Sequence, residues 1–385
     1  MAEQTKRIAI NFGGGYAPGL NAVITGIVLA ANELGWETVG IRDGYDGLLF
    51  PDRYPEGGLM ELTPKTTENL VGTNGCILGT TPQADPFNVR TLNSDGMIEE
   101  VDRSDELLAS IEAAGIDAVI SVTGSRALGI LWKLSRKGLR TVCIPKSLEN
   151  DVASTMLSFG FNSTLSFITE MLGRAVQAAQ STRQIAVVEV PGQHAGWLAL
   201  QAGMAVCADA VLIPELHYDS EKVAAKLRQK MASGRSYGLV VVAEGAEPIA
   251  DRNGGSNGNG SKMKSALSPG ATGKEGLNVI ERSGRSAADV ALAVQRLTDQ
   301  QTYPIVLSKL AGGGSPTVVD RQLGLGYGIG AVRALKNNET GVMVVFQPPD
   351  VKIVPLTDAI NKVRTIPADS EMIQLARAMG IAFGD

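Results

Sequence analysis

The run Ile144-Pro145-Lys146-Ser147-Leu148-Glu149-Asn150-Asp151 places a cation, a hydroxyl and two carboxylates directly after a short apolar segment. Glu149 and Asp151 lie two residues apart and in extended chain share a face, which suits a base together with a partner that orients it or holds a metal. Lys146 is placed to neutralise a phosphate. Two glycine-bearing turns offer matching chemistry. Gly13-Gly14-Gly15-Tyr16-Ala17-Pro18-Gly19 presents unobstructed backbone amides ahead of a helical pattern, and Ser121-Val122-Thr123-Gly124-Ser125 does the same. Amides at a helix N-terminus form an anion cradle. A strand-to-helix turn also needs glycine for steric reasons alone, and an Asn-Asp turn is an ordinary polar loop. Both readings stand on the residues by themselves; the three turns together weigh toward phosphoryl transfer.

The elements that must position these turns follow from periodicity. Arg7 to Phe12, Thr38 to Ile41, Ala118 to Val122 and Thr141 to Ile144 are short apolar runs predicted as strands, with helices from Leu20 to Leu34 and from Arg126 to Lys137 between them. A second set follows: a helix from Ser163 to Gln180, strands Ile185 to Val190, Ala210 to Ile213 and Gly238 to Ala243, and helices near Trp197 to Ala205 and Ser220 to Met231. Strands alternating with helices imply parallel sheets covered on both faces, with ligands at the C-terminal strand ends. Residues 250–276, rich in Gly, Ser and Asn and almost without large apolar side chains, are expected to form a mobile surface loop with no role of its own.

Composition bounds the function. The chain has 385 residues, 44% of them apolar and 19% charged, enough for one large or two medium cores. With 40 acidic against 35 basic residues, a net charge of −5 argues against a sequence-independent nucleic-acid partner. Two histidines, His194 and His217, cannot build a histidine-rich metal centre, and three scattered cysteines suit buried thiols better than disulfides. No apolar run is long enough to cross a bilayer and the start lacks a signal-peptide pattern, so a soluble, cytoplasmic protein without a membrane partner is expected.

The three turns, in this order and spacing, resemble the phosphofructokinase family, and the likeness extends over nearly the whole chain. Ala17-Pro18-Gly19-Leu20-Asn21, Gly44-Tyr45-Asp46-Gly47-Leu48, Ile77-Leu78-Gly79-Thr80, Phe159-Gly160-Phe161, His194-Ala195-Gly196-Trp197, Leu212-Ile213-Pro214-Glu215, Ala243-Glu244-Gly245 and Gly313-Gly314-Ser315-Pro316 follow in family order. The resemblance implies an α/β fold of two three-layer domains with mostly parallel sheets. Residues 1–160 with 311–356 would form a larger donor-binding domain, residues 161–310 with 357–385 a smaller acceptor-binding one, and the cleft between them the site. It also implies phosphoryl transfer from ATP or pyrophosphate to the 1-hydroxyl of fructose 6-phosphate with magnesium, in a homo-oligomer, dimer or tetramer.

Carried over by position, the resemblance casts Glu149 as the base, Asp151 as a metal or positioning partner and Lys146 as a third catalytic residue. Gly14, Gly15, Tyr16, Thr123, Gly124 and Ser125 would bind the donor, and Ser147, Gly192, Gln193, Glu244, Lys309 and Arg183 the acceptor. Several positions depart from the family pattern. Tyr16 and Thr123 stand where the family has aspartates, the second of which helps hold magnesium, and a neutral hydroxyl replaces a carboxylate poorly on that ion. Glu149 replaces the aspartate base and shifts its carboxylate by one methylene. The donor-loop arginine is Pro82, and acceptor arginines and a histidine are Gln184, Gln193, Lys309, Gly312 and Tyr303. Gly124 is the residue of ATP users, so ATP is favoured over pyrophosphate. Two functions are carried forward: a divergent phosphotransferase acting on a sugar or sugar phosphate, and a catalytically impaired regulatory or structural subunit that pairs with an active paralogue.

Overall fold

The computed structural model describes residues 6–81, 85–92, 97–249 and 284–385. The segment 250–276 and Pro82 lie outside the described residues. The chain divides into two compact units, Met1–Ser163 with Gly312–Arg364 and Thr164–Ala311 with Thr365–Asp385.

The first unit opens with β1 (Arg7–Phe12), α1 (Leu20–Glu33), β2 (Glu37–Ile41), the short α2 (Asp46–Leu49), β3 (Leu59–Leu62) and a hairpin of β4 (Val89–Leu92) and β5 (Ile98–Val101). It continues through α3 (Ser104–Ala113), β6 (Ala118–Thr123), α4 (Leu128–Arg136) and β7 (Thr141–Pro145). The second unit holds all but the first turn of α5 (Phe161–Thr182), then β8 (Ile185–Val190), α6 (Trp197–Ala205), β9 (Ala210–Leu212), α7 (Ser220–Ala232), β10 (Gly238–Ala243), α8 (Arg285–Thr298) and β11 (Thr302–Val306). The chain returns to the first unit with α9 (Val318–Lys336), β12 (Val342–Gln347) and β13 (Asp350–Pro355), and α10 (Glu371–Ala378) belongs to the second.

Both sheets are mostly parallel, as the strand–helix alternation requires. The seven-stranded sheet runs β13-β12-β7-β6-β1-β2-β3, with only the outermost pairs antiparallel, and the four-stranded sheet β11-β8-β10-β9 is parallel throughout. Strands β6, β7, β8 and β10 are buried along their whole length, which is why they are near-continuous runs of Val, Ile and Ala rather than alternating ones. On one face of the larger sheet Ile8, Ile10, Phe12, Ile120, Val122 and Ile144 pack under α1 and α9; on the other Ala9, Val39, Ile41 and Val119 pack with residues of α2 and α3.

Helices α1 and α9 approach each other closely. A Cβ at Gly26 would stand 2.5 Å from the Leu325 carbonyl oxygen, and one at Gly328 2.7 Å from that of Val23. The buried Asp320 of α9 accepts from the Ser163 amide at 2.7 Å and its hydroxyl at 2.5 Å, satisfying donors in the first turn of α5. In the second unit the fully buried Asp209 takes Lys230 at 2.7 Å, Arg235 at 2.9 Å and the Leu239 amide at 2.8 Å. A charge at that depth persists only with such partners.

Gly26→Ala is expected to cost about 1–3 kcal/mol through overpacking against α9. Gly129→Ala, inside α4 where a Cβ meets nothing within 4 Å, is expected to stabilise by up to about 1 kcal/mol. Urea unfolding midpoints of the two variants test this; a Gly26→Ala midpoint equal to wild type would refute the close helix contact.

Candidate functional site

Strands β7, β6 and β1 are neighbours and parallel, so their C-terminal ends reach one edge together. The three turns singled out in the sequence all start there. The Gly13 amide donates to Val122 O at 3.0 Å and the Lys146 amide to Thr123 O at 2.9 Å, which ties each turn to the next strand.

The side chain of Lys146 turns inward at this edge. Its ammonium donates to Gly13 O at 2.8 Å and to Gly15 O, and only 5% of the residue is exposed. Burial lowers its pKa to about 8, with a smaller opposing effect from the nearby Cys76, whose own thiol burial pushes up to about 11. The Thr80 hydroxyl donates to Gly14 O. Of the three residues of this turn expected to meet the donor, Gly14 has its amide taken by Thr81 O at 3.1 Å, whereas the amides of Gly15 and Tyr16 have no acceptor among the described residues. The Tyr16 hydroxyl accepts from the Gly75 amide at 3.1 Å and donates to Gly314 O at 3.4 Å.

After β7 the chain turns rather than extends. Asn150 has φ +57, and its amide side chain pins the bend by donating to Met156 O at 3.1 Å and accepting from the Ser158 amide at 2.9 Å. Glu149 and Asp151 therefore do not share the face of an extended strand. That expectation is corrected: a left-handed residue between them breaks the alternation. Asp151 faces the neighbouring turn, its two carboxylate oxygens accepting from Ser147 Oγ at 2.5 Å and Ser125 Oγ at 3.2 Å. The Ser147 hydroxyl also accepts from the Glu149 amide at 3.1 Å, and the Arg364 amide donates to Asp151 O at 2.8 Å. Thr123 is buried, its hydroxyl has no hydrogen-bond partner among the described residues, and it lies 3.1 Å from where a Cβ at Gly13 would be. Gly124 has ordinary extended backbone, and a Cβ there would crowd Lys146 O at 3.3 Å.

Among the described residues no three His, Cys, Asp or Glu side chains converge as a metal cage. Magnesium is usually held by one or two carboxylates together with phosphate oxygens and water, and Asp151, one of two carboxylates on the bend after β7, fits that demand. The uncharged Thr123 hydroxyl adds no second one.

In the second unit Gly192, Gln193, Glu244 and Lys309 follow the C-terminal ends of β8, β10 and β11. The Glu244 amide donates to Val190 O and the Gly245 amide to Gly192 O, both at 3.1 Å. Gly192 has φ +151, and a Cβ there would meet Ala195 O at 2.9 Å. Lys309 is exposed. Arg183 precedes β8 and so stands at the opposite edge of its sheet; six strand residues separate it from Gly192, and at about 3.3 Å each they set it some ~20 Å away. Four of the five acceptor residues of this unit are thus brought to one edge and the fifth is not.

Three further groups organise these edges that the sequence pattern alone does not single out. Besides Thr80, Glu189 is buried and caps α8, accepting from the Gly284 amide at 2.6 Å and the Ala287 amide at 2.9 Å. Glu215 accepts from the Gly196 amide at 3.1 Å and the Ile366 amide at 2.9 Å. A carboxylate inside the apolar strand Val187-Val188-Glu189-Val190 is itself the signal of a buried partner. Thr80 carries no comparable sign.

The profile of the phosphofructokinase family matches residues 7–335. The ATP-dependent 6-phosphofructokinase of Chloroflexus aggregans is 36% identical over 385 residues, covering 100% of this chain and 99% of that protein. Among solved structures, the pyrophosphate-dependent phosphofructokinase from Marinobacter aquaeolei superposes with a TM-score of 0.74 at 18% identity, covering 98% of this chain and 88% of that one. Phosphofructokinase from Saccharomyces cerevisiae gives 0.71 at 23% identity, and this chain covers 46% of the yeast chain while 97% of it is matched. These structures bear on the fold, which they share. Among the described residues no helix is long and apolar enough to cross a membrane.

The buried lysine makes a prediction about stability. Its folded pKa of about 8 lies below the ordinary 10.5, so below about pH 8 the ammonium is charged in both states and the full burial cost opposes folding. Between the two values the folded form releases its proton first, and stability rises with pH. Relative to Lys146→Met, the wild type should gain on the order of 3 kcal/mol across that window. Denaturant unfolding of both proteins at several pH values from neutral to alkaline would show it, and a constant difference would contradict a buried, charged amine.

Proposed function

This chain belongs to the phosphofructokinase family, and from that premise we propose that it transfers a phosphoryl group from ATP to a hydroxyl of a sugar phosphate. The names of its relatives favour fructose 6-phosphate as acceptor and ATP as donor. The observation that carries the reading is the β1–β6–β7 edge, where the unused Gly15 and Tyr16 amides lie on the turn that Lys146 joins to β7, whose following bend bears Asp151.

In this reading the first unit binds the donor. The Gly15 and Tyr16 amides and the N-terminus of α1 face its phosphate oxygens. Asp151, oriented by Ser125 and Ser147, holds magnesium, which neutralises charge on the donor phosphates when bound. Glu149 takes the proton of the attacking hydroxyl. The second unit supplies Gly192, Gln193 and Glu244 to acceptor hydroxyls and Lys309 to the acceptor phosphate. Arg183, at the far edge of its own sheet, can serve an acceptor only where a second copy brings it there, which is the argument for a homo-oligomer.

A second reading is favoured by one observation. Thr123, at the family's magnesium aspartate, is an uncharged hydroxyl with no partner, packed against Gly13. Phosphoryl transfer depends chiefly on stabilising charge, so this substitution fits a subunit that binds nucleotide and regulates an active paralogue.

Purified protein assayed with ATP, magnesium and a panel of sugars and sugar phosphates led by fructose 6-phosphate should turn over, and Glu149→Gln should lower kcat by about a hundredfold or more. Background turnover with no effect of Glu149→Gln, alongside intact ATP binding, would select the regulatory reading instead.

A further inference from the structure

We propose that Lys146 and Thr80 are positioning residues of the turn between β1 and α1, holding its three glycine carbonyls so that the Gly15 and Tyr16 amides face an anion. The inference deepens the phosphotransferase reading, and rests on it for taking that anion to be the phosphates of a nucleoside triphosphate.

A planar trans peptide points the carbonyl of one residue and the amide of the next in opposite directions, so whatever holds the carbonyl also aims the amide. Three consecutive units of this turn are held in that way. Gly13 O lies on the Lys146 ammonium at 2.8 Å, and the Gly14 amide on the far side of that unit meets Thr81 O at 3.1 Å. Gly14 O accepts from Thr80 Oγ1, which turns the Gly15 amide away from Thr80. Gly15 O lies on the same ammonium, which turns the Tyr16 amide away from Lys146.

Gly14 has φ +81, and this left-handed step lets two carbonyls on either side of it reach one ammonium. A run of three glycines has the widest conformational freedom of any tripeptide, so its own sequence cannot specify which way its amides point. The specification comes from two side chains on other segments, one of them a charge-assisted donor buried beneath the turn. The positive charge of Lys146 then acts from behind the amides without touching the anion.

The experiment uses the full-length protein labelled with 15N in glycine and tyrosine, with wild type, Lys146→Met, Thr80→Val and Thr80→Ser compared. Amide resonances of Gly15 and Tyr16 are recorded without nucleotide, and ATP affinity is measured by calorimetry, with thermal unfolding as the control for folding. Lys146→Met should displace both amide signals and weaken ATP binding about tenfold or more. Thr80→Val should displace chiefly the Gly15 signal and weaken binding about threefold, while Thr80→Ser, which keeps the donor, should match wild type in both.

Weaker ATP binding with unmoved amide signals would make Lys146 a direct phosphate ligand and overturn the proposal, as would variants indistinguishable from wild type. Displaced signals in the variants, with no ATP binding even by the wild type, would uphold the positioning role and defeat the donor reading. If Lys146→Met does not fold, the contrast between Thr80→Val and Thr80→Ser decides.

Discussion

The ammonium of Lys146, buried between the carbonyls of Gly13 and Gly15, is the contact on which the β1–β6–β7 edge depends. It joins the turn after β1 to the end of β7 across the intervening β6, and it does so with a charge whose burial lowers its own pKa to about 8. A lysine is the side chain that can do this. Its four-carbon stem crosses one strand width within the fold and its head carries three donors, enough for two carbonyls. The opposing cost is desolvation, offset by the two carbonyls, and the left-handed step at Gly14, with φ +81, is what lets both reach one nitrogen.

The second unit solves the equivalent problem with the opposite charge. Its strand ends are organised by carboxylates rather than by an ammonium: Glu189 binds amides in the first turn of α8, and Glu215 binds those of Gly196 and Ile366. Acids suit that task because the groups left unsatisfied at helix starts are N–H donors. The two units therefore present different edges. At the first, side chains hold the Gly13, Gly14 and Gly15 carbonyls and the Gly15 and Tyr16 amides are left; at the second, acids hold amides. The first has two main-chain amides, those of Gly15 and Tyr16, with no acceptor among the described residues, and the second carries Gln193, Glu244 and the exposed Lys309.

Most of the element plan was legible in the sequence because both sheets are parallel and buried. Continuous runs such as Ile185–Val190 and Gly238–Ala243 cannot be amphipathic surface strands, and their ends are marked by glycine and polar residues. The placement of Gly14, Thr123, Gly124 and Lys146 at one edge followed from topology alone. What was not legible depends on a single torsion or on depth. The left-handed Asn150 undoes the shared face of Glu149 and Asp151, and nothing in an Asn-Asp pair dictates φ +57. Lys146 looks like a surface cation because sequence records charge and not burial. Arg183 lies only a few residues from Gln193 along the chain, yet a fully extended β8 puts the two at opposite ends of a sheet.

Thr123 shows how these constraints meet. Its hydroxyl is buried without a partner beside Gly13, and Gly13 is the residue whose carbonyl Lys146 holds. A carboxylate at that position would bring a negative charge to the same few ångströms of backbone and draw the ammonium toward itself, in competition with the two carbonyls. With a neutral threonine the lysine has no acid to pair with there, and the carbonyls become its best acceptors. The threonine and the inward-turned lysine are thus two parts of one arrangement. A neutral side chain beside Gly13 leaves the cation to the backbone, on a turn whose Gly15 and Tyr16 amides have no acceptor among the described residues.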